Sequence, residues 1–161
     1  MNEESMTNKN QAFIARQISK DELDDLLELY THHLFSTSDA PLPPRAEVQS
    51  LWDDIFDNQM LHYFVVEYEG RVVSTCTLTI IPNLTRGARP YGLIENVVTH
   101  KDFRGRGLGK TLLRHTLNFA WQKNCYKVML LSGSRRQAAH RLYESVGFNK
   151  DEKIGYIAKP S

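Results

Sequence analysis

The sequence has 161 residues, 41% of them hydrophobic and 24% charged, with a net charge of +1. This composition suits one soluble globular domain with one core. The small net charge does not favour nucleic acid or a membrane as a partner. The sequence contains no apolar run near the roughly 18 residues that cross a bilayer. Two cysteines, Cys76 and Cys125, are too few for a disulfide framework and favour free thiols in the cytoplasm. We expect a flexible N-terminal segment over residues 1–11 and a single domain over residues 12–161.

The first half of the chain predicts a strand and two helices. Residues 13–18 are short and mixed, as in a first strand. Ser19 and Glu22 have the spacing of a capping box, and the apolar residues after them recur at helical spacing. A loop with three prolines over residues 39–45 separates this helix from a second one over residues 47–57.

The second half predicts strands and helices in alternation. Two strands, residues 63–68 and 71–81, flank a tight turn at Glu69-Gly70. Residues 93–99 then predict a strand, residues 108–121 a long helix and residues 128–131 a continuously apolar strand. A capping box at Ser134 begins a predicted helix over residues 134–146, and residues 151–158 predict a terminal strand or hairpin arm. The order predicts a mixed α/β fold with an antiparallel front half.

The stretch from Phe103 to Thr111 reads F-R-G-R-G-L-G-K-T and lies between a predicted strand and a predicted helix. Glycines in such a turn let backbone N–H groups approach an anion at the positive end of a helix. The spacing departs from the Walker A pattern, because position 104 is arginine, and from the dinucleotide pattern, because it is G-x-G-x-G. The pattern that remains is R-x-x-G-x-G, which Arg104, Gly107 and Gly109 match. The favoured interpretation is a phosphate-binding loop, and the alternative is a solvated basic helix face.

With the segments downstream, this loop resembles the acyl-CoA loop of the GNAT acetyltransferase superfamily. The resemblance runs from about Tyr91 to Phe148, and it includes the apolar strand at residues 127–132 and the pattern A-x-x-x-Y-x-x-x-G-F that starts at Ala139. Residues 94–98 look like the glucosamine-6-phosphate N-acetyltransferase branch. The resemblance implies a central, mostly antiparallel sheet of six to seven strands, splayed between strands four and five, with about four helices. It also implies acetyl-CoA as cosubstrate and a homodimer that pairs through its C-terminal strands.

The resemblance further implies which residues hold the coenzyme. The edge of the fourth strand is expected to pair with the pantetheine arm, with the N–H of Val98 polarising the thioester carbonyl. Arg136 stands where the family often has asparagine, so Ser132 or Ser134 is expected to serve the arm instead. The predicted cofactor-binding residues are Val97, Val98, Thr99, Arg104, Gly105, Arg106, Gly107, Leu108, Gly109, Lys110, Ser132 and Arg136.

Two residues are predicted to be catalytic. On a regular strand Glu95 shares a face with Leu93 and Val97, and we assign it as general base. The alternative is a structural carboxylate paired with one of the nearby cations Arg86, Arg89 and Lys127. The resemblance implies Tyr143 as general acid toward the coenzyme thiolate, as the tyrosine of that helix is often assigned in the family, and the alternative is a core aromatic residue with a satisfied hydroxyl.

We therefore expect an N-acetyltransferase in which a small-molecule primary amine attacks acetyl-CoA directly in a ternary complex. No cysteine lies in the motif strand or loop, which disfavours an acyl-enzyme. The six histidines lack metal-ligand spacing, so no metal is expected. A non-catalytic acyl-CoA-binding module and a protein or peptide amine acetyltransferase are the alternatives. Candidates for the acceptor wall are Tyr30, His32, His33, Arg45 and Trp52, and Arg86 or Arg89 for an anionic group on the acceptor.

Overall fold

The computed structural model describes residues 13–37 and 39–160, and the predicted flexible segment at residues 1–11 lies outside them. Their strands form one sheet in the order β1-β2-β3-β4-β5, antiparallel except for the parallel pair β4–β5. The strands are β1 (Ile14–Gln17), β2 (Leu61–Tyr68), β3 (Arg71–Ile81), β4 (Tyr91–Thr99) and β5 (Val128–Leu130).

Five helices cross or flank this sheet, one more than expected, because a four-residue turn before β4 counts as a helix. They are α1 (Leu23–His33), α2 (Arg45–Asp57), α3 (Thr85–Ala88), α4 (Leu108–Gln122) and α5 (Gln137–Glu144). Within the described ranges, no helix combines the length and apolarity that crossing a bilayer requires.

Local signals explain the agreement in the front half. The predicted turn between β2 and β3 contains Glu69 and Gly70 with φ of 49° and 77°, as a two-residue hairpin turn requires. Ahead of α1, the amide of Ser19 donates to the carboxylate of Glu22 over 2.7 Å, as in a capping box. The mixed α/β class and the mostly antiparallel sheet are confirmed.

The C-terminal part differs from the expectation in two ways. Residues 151–158 form no strand, so the sheet has five strands instead of six to seven, and β5 is its edge. Ser134 does not cap a helix, because α5 begins at Gln137 with Arg136 at its N-cap. Strand pairing needs a partner edge, and helix onset depends on the path of the preceding loop; neither is encoded by local spacing alone.

Two apolar clusters cover the two faces of the sheet. The first packs α4 and α5 against the sheet and includes the fully buried Phe64, Leu112 and Leu113. The second packs α1 and α2 on the opposite face, around Leu26 and Trp52. The central strands β3 and β4 supply residues to both clusters, so they are held from both sides, whereas β5 pairs with β4 over three residues only.

Candidate active site

Strand β4 contains a bulge in its middle. Asn96 has a positive φ of 55°, and the register with β3 jumps so that Thr75 pairs with Val98 and Thr77 with Glu95. Asn96 and Val97 therefore both lie opposite a single residue of β3, which is the definition of a bulge. An extra residue of this kind exchanges the faces of all side chains that follow it.

The bulge changes which residues share a face with Glu95. Ile94 and Val97 pack into the first cluster, although a regular strand would place them on opposite faces, and Val98 packs into the second. The prediction that Glu95 and Val97 lie on one face is therefore wrong. Past the bulge, the sequence-based assignment of faces must be reversed.

Beyond Ile94 the edge of β4 that faces away from β3 has no partner strand among the described residues. Pairing with β5 covers only Gly92–Ile94, so the stretch 95–99 borders a gap between the two strands. This limited pairing agrees with the predicted splaying of strands four and five. A gap beside unpaired strand edge is suited to an extended ligand that hydrogen-bonds the backbone.

Backbone direction decides which amide faces the gap. The amide of His100 donates to the carbonyl of Val73 on β3 over 2.8 Å, and the carbonyl of Val98 accepts the hydroxyl of Ser74 over 3.0 Å. Neighbouring residues of a strand direct their N–H groups to opposite edges. The N–H of Val98 thus points to β3, and the N–H of Thr99 points to the gap. The expected role of the Val98 N–H, to polarise the thioester carbonyl, therefore does not fit this geometry.

The glycine loop presents a run of free backbone donors. Gly105 and Gly107 have φ of 74° and 80°, and Gly107 is the N-cap of α4. The first bond into the helix runs from the amide of Thr111 to the carbonyl of Gly107, over 3.0 Å. Within the described residues, none of the amides from Gly105 to Lys110 has an acceptor, and such an array at a helix N-terminus binds anions.

The three glycines of the loop serve two different purposes. No atom lies within 4 Å of a Cβ built on Gly105 or Gly107, so these two are needed for their positive φ and leave open space beside them. A Cβ on Gly109 would lie 2.9 Å from Cδ2 of Leu142 on α5. Gly109 therefore permits the close approach of α4 and α5, in addition to contributing its amide.

The basic side chains of the loop surround these amides without acidic partners. Arg104 donates through Nε to the carbonyl of Thr99 over 3.0 Å, and the guanidinium of Arg106 lies 5.2 Å from the ring centre of Phe103. Neither they nor Lys110 form an ion pair with a carboxylate in the described part of the chain. The positive charge at the N-terminus of α4 is thus uncompensated.

On the far side of the gap, α5 contributes Tyr143. Only 8% of this residue is exposed, and its hydroxyl has no hydrogen-bond partner among the residues that the structure describes. Burial raises the pKa of the phenol, the positive charge of Arg136 opposes that rise, and Cys76 and Glu95 add to it. The ring packs into the first apolar cluster, and the role of Tyr143 as general acid stays a prediction.

Glu95 is exposed and forms none of the ion pairs considered as the alternative. Arg89 donates to the carbonyls of Asn124 and Cys125, while Arg86 and Lys127 lie over the ring of Tyr126. The backbone carbonyl of Glu95 accepts a hydrogen bond from the hydroxyl of Thr77 over 3.1 Å. The carboxylate is thus without an ion pair in the described residues, and its negative charge is one of the causes that raise the pKa of Tyr143.

Ser132 follows β5 and carries a buried hydroxyl with no partner within the described residues. A buried hydroxyl without a hydrogen bond is costly, so this hydroxyl is a candidate hydrogen-bonding group for a ligand. Ser134, the other candidate, is exposed. The two serines thus differ in burial, and which of them serves the arm stays a prediction.

Of the residues suggested for the acceptor wall, Tyr30 and Trp52 are buried in the second apolar cluster. Trp52 donates to the carbonyl of Lys20 over 2.8 Å, and Arg45 pairs with Asp24, so both have structural partners. The ring of His33 contacts that of His100 in a tilted arrangement, with ring centres 4.1 Å apart. Thr31 and residues of the α1–α2 loop line an open surface depression of about 450 Å³. No cluster suited to a metal ion occurs in the described ranges.

The site is thus built from the glycine loop, the open edge of β4 and the helix that carries Tyr143. The sequence matches the Acetyltransferase (GNAT) family over residues 22–148. The chain belongs to the GNAT acetyltransferase family. That family membership accounts for the sheet topology and for the free amides at α4.

Similar proteins extend this assignment. A glucosamine 6-phosphate N-acetyltransferase of Trypanosoma brucei brucei is 40% identical over 84 residues, which cover 52% of this chain and 55% of the trypanosomal protein. The matched part thus spans about half the length of that relative. A solved structure from Agrobacterium tumefaciens, provisionally assigned as an acetyltransferase, is 42% identical with a TM-score of 0.81, covering 91% of this chain and 99% of its own.

A more distant structure shows the fold with a ligand. An aminoglycoside N-acetyltransferase solved in complex with CoA has a TM-score of 0.76 at 17% identity, covering 97% of this chain and all of its own. At this identity the similarity concerns the fold alone.

Two features of this GNAT site were missed from the sequence: the bulge at Asn96 and the packing role of Gly109. Asparagine tolerates a positive φ better than other non-glycine residues, so its presence within a β-branched strand was an available signal. Nothing local distinguishes Gly109 from the two glycines before it. Its contact with Leu142 depends on how α5 docks.

Proposed function

We propose that this protein is an acetyl-CoA-dependent N-acetyltransferase that transfers an acetyl group to a primary amine of a small molecule. The observation that carries the proposal is the run of acceptor-free amides from Gly105 to Lys110, which opens beside the gap between β4 and β5. A diphosphate fits the amides, and an extended acyl arm fits the gap.

The coenzyme would be held along a single line. The amides of residues 105–110 receive the pyrophosphate, with added positive charge from Arg104, Arg106 and Lys110. The open edge of β4 at Val97 and Thr99 pairs with the pantetheine amides, and the unpartnered hydroxyl of Ser132 lies on the opposite side. Acetyl-CoA supplies the activated acetyl group, and the chain orients it.

The reaction in this arrangement is direct attack in a ternary complex. The neutral amine forms a C–N bond to the acetyl carbon, the C–S bond breaks, and its electron pair goes to sulfur. Glu95 takes the proton that the amine loses, directly or through water, and Tyr143 gives its hydroxyl proton to the departing thiolate. Solvent then restores both groups, so the products are an amide and CoA with a free thiol.

The acceptor belongs to the small amines in this proposal. The named relative acts on glucosamine 6-phosphate, a small molecule. We also propose that the protein is a cytoplasmic homodimer, since both thiols are free and buried and the edge of the sheet is open at β5.

A panel of amines, scored by release of the CoA thiol from acetyl-CoA, tests the function. Glu95→Gln and Tyr143→Phe should each lower kcat by roughly 10²-fold, at the lower end of general acid–base effects. Glu152→Gln and Tyr156→Phe are matched controls at exposed positions outside the site and should retain full activity.

The outcomes separate the alternatives. Turnover of both variants at the wild-type rate would show that the assigned roles are wrong. Binding of acetyl-CoA without thiol release for any amine would identify a non-catalytic acyl-CoA-binding module. Release with peptide amines alone would identify a protein or peptide acetyltransferase.

A further inference from the structure

The C-terminal end of α1 contacts the segment that leads from β4 into the glycine loop. His33 is the last residue of α1, and His100 directly follows β4. The centres of their imidazole rings are 4.1 Å apart, and the ring planes are inclined by 50°. Both residues are partly buried. The contact therefore joins two elements that are distant in the sequence, at the border of the proposed coenzyme site.

Hydrogen bonds of His100 fix the turn that enters the glycine loop. Its amide donates to the carbonyl of Val73 on β3 over 2.8 Å, and its carbonyl accepts the amide of Phe103 over 2.9 Å. Nδ1 of its ring accepts the amide of Asp102 over 3.2 Å. The run of acceptor-free amides begins two residues after Phe103, at Gly105. The position of the His100 ring is thus coupled to the path of the backbone that presents these amides.

The charges around His33 favour a neutral ring. Burial lowers the pKa of His33 below its ordinary value of 6.5, and four nearby basic groups lower it further. These groups are His100, His32, Arg104 and Lys101. One carboxylate faces the pair, because Oδ2 of Asp102 lies 3.9 Å from Nδ1 of His100. A neutral His33 can stay in contact with His100, whereas a protonated one would add positive charge to a basic cluster.

We propose that His33 is a positioning residue for the coenzyme, because its neutral ring packs against His100 and holds the turn before the glycine loop in the orientation that binds CoA. This inference rests on the proposed function, and it gives the end of α1 a role that acts through His100. Protonation of His33 would place a charge against that ring and beside Lys101 and Arg104. Acidic pH should therefore open the contact and weaken the binding of CoA.

Calorimetric titration with CoA at about pH 7.5 and about pH 5, on either side of the ordinary histidine pKa, tests the role. His33→Gln removes the ring and should raise the Kd for CoA about threefold at the higher pH, as expected for the loss of one ring contact. His33→Phe keeps a ring without a titratable group. It should bind CoA like the wild type at the higher pH and lose less affinity than the wild type at the lower pH.

His32→Gln is the matched control, because His32 is the exposed neighbour of His33 on α1. This variant should bind CoA like the wild type at about pH 7.5. The comparison of the wild type with His33→Phe also removes the contribution of the phosphates of CoA, whose own titration is the same for both proteins.

A second measurement uses the unliganded protein. The ¹⁵N relaxation of residues 100–104 reports how firmly the turn is held, and the amide of Asp102 reports its bond to Nδ1 of His100. At about pH 7.5, His33→Gln should show more motion in this segment than the wild type and a shifted Asp102 amide resonance. His33→Phe should show neither change.

Each outcome decides the proposal. Equal CoA affinity of His33→Gln and the wild type would overturn it, and so would a loss of affinity without added motion in residues 100–104. Tighter CoA binding by the wild type at the lower pH, absent in His33→Phe, would also overturn it and make His33 a phosphate ligand. If the wild type binds no CoA at either pH, the proposed function fails as well, and this failure is distinguishable because it appears without any substitution.

Discussion

Gly107 begins α4 with a φ of 80° and has nothing within 4 Å of the position that a Cβ would take. An alanine at position 107 would be strained by the positive φ and not by a clash, and this strain costs about 1 kcal/mol of folding free energy. Gly107→Ala should therefore lower the free energy of unfolding by about that amount, and it should weaken acetyl-CoA binding because the amides around it are redirected. Calorimetry and urea denaturation measure the two effects.

Gly70 offers a matched control for this prediction. It has a φ of 77° in the turn between β2 and β3, and the space beside it is equally empty. Gly70→Ala should cost similar stability and leave acetyl-CoA affinity unchanged. If both variants bind acetyl-CoA as tightly as the wild type, the loop is not the phosphate site.

At the scale of elements, the parallel pair β4–β5 depends on Gly92. A Cβ there would lie 2.9 Å from Cδ1 of Leu78 and 3.1 Å from Cγ2 of Val128. Gly92→Ala should lower the free energy of unfolding by about 1–3 kcal/mol, the usual cost of overpacking a core. Urea denaturation of Gly92→Ala, Leu78→Ala and the double variant tests the cause: the double variant should lose less than the sum of the single losses, and strict additivity would refute this contact.

At the scale of the whole molecule, apolar side chains near the C-terminus and on β5 are exposed together. Ile154, Tyr156 and Ile157 are 80%, 90% and 71% exposed, and Leu131 is 50% exposed beside the open edge of the sheet. An apolar strand edge of this kind favours pairing with another chain. We predict a homodimer that uses this surface, measured by light scattering at micromolar concentration.

A paired substitution tests the dimer surface. Ile154→Asp with Ile157→Asp should yield a monomer, because charge is excluded from an apolar interface. Leu84 is 94% exposed and does not belong to this surface, so the Leu84→Asp variant should remain dimeric. A monomeric wild-type protein would refute the prediction outright.

The sequence by itself determined the features that depend on a few neighbouring residues. The turn at Glu69-Gly70, the bounds of β3 and the glycine loop at the start of α4 were predicted correctly, because positive φ values and short-range periodicity act over a few residues. The GNAT family was indicated by a resemblance that combined the loop with the apolar strand and the tyrosine helix downstream, and the family match over residues 22–148 confirms it.

Tertiary structure alone decided the arrangement of the site. The bulge at Asn96 depends on the register with β3, so the faces of Glu95 and Val97 cannot be read from alternation. The freedom of Glu95 from ion pairs, the unpartnered hydroxyl of Ser132 and the missing strand after α5 all depend on groups distant in the chain. Spacing encodes local backbone geometry, whereas the partner of each exposed donor, charge or strand edge is chosen only when the elements pack.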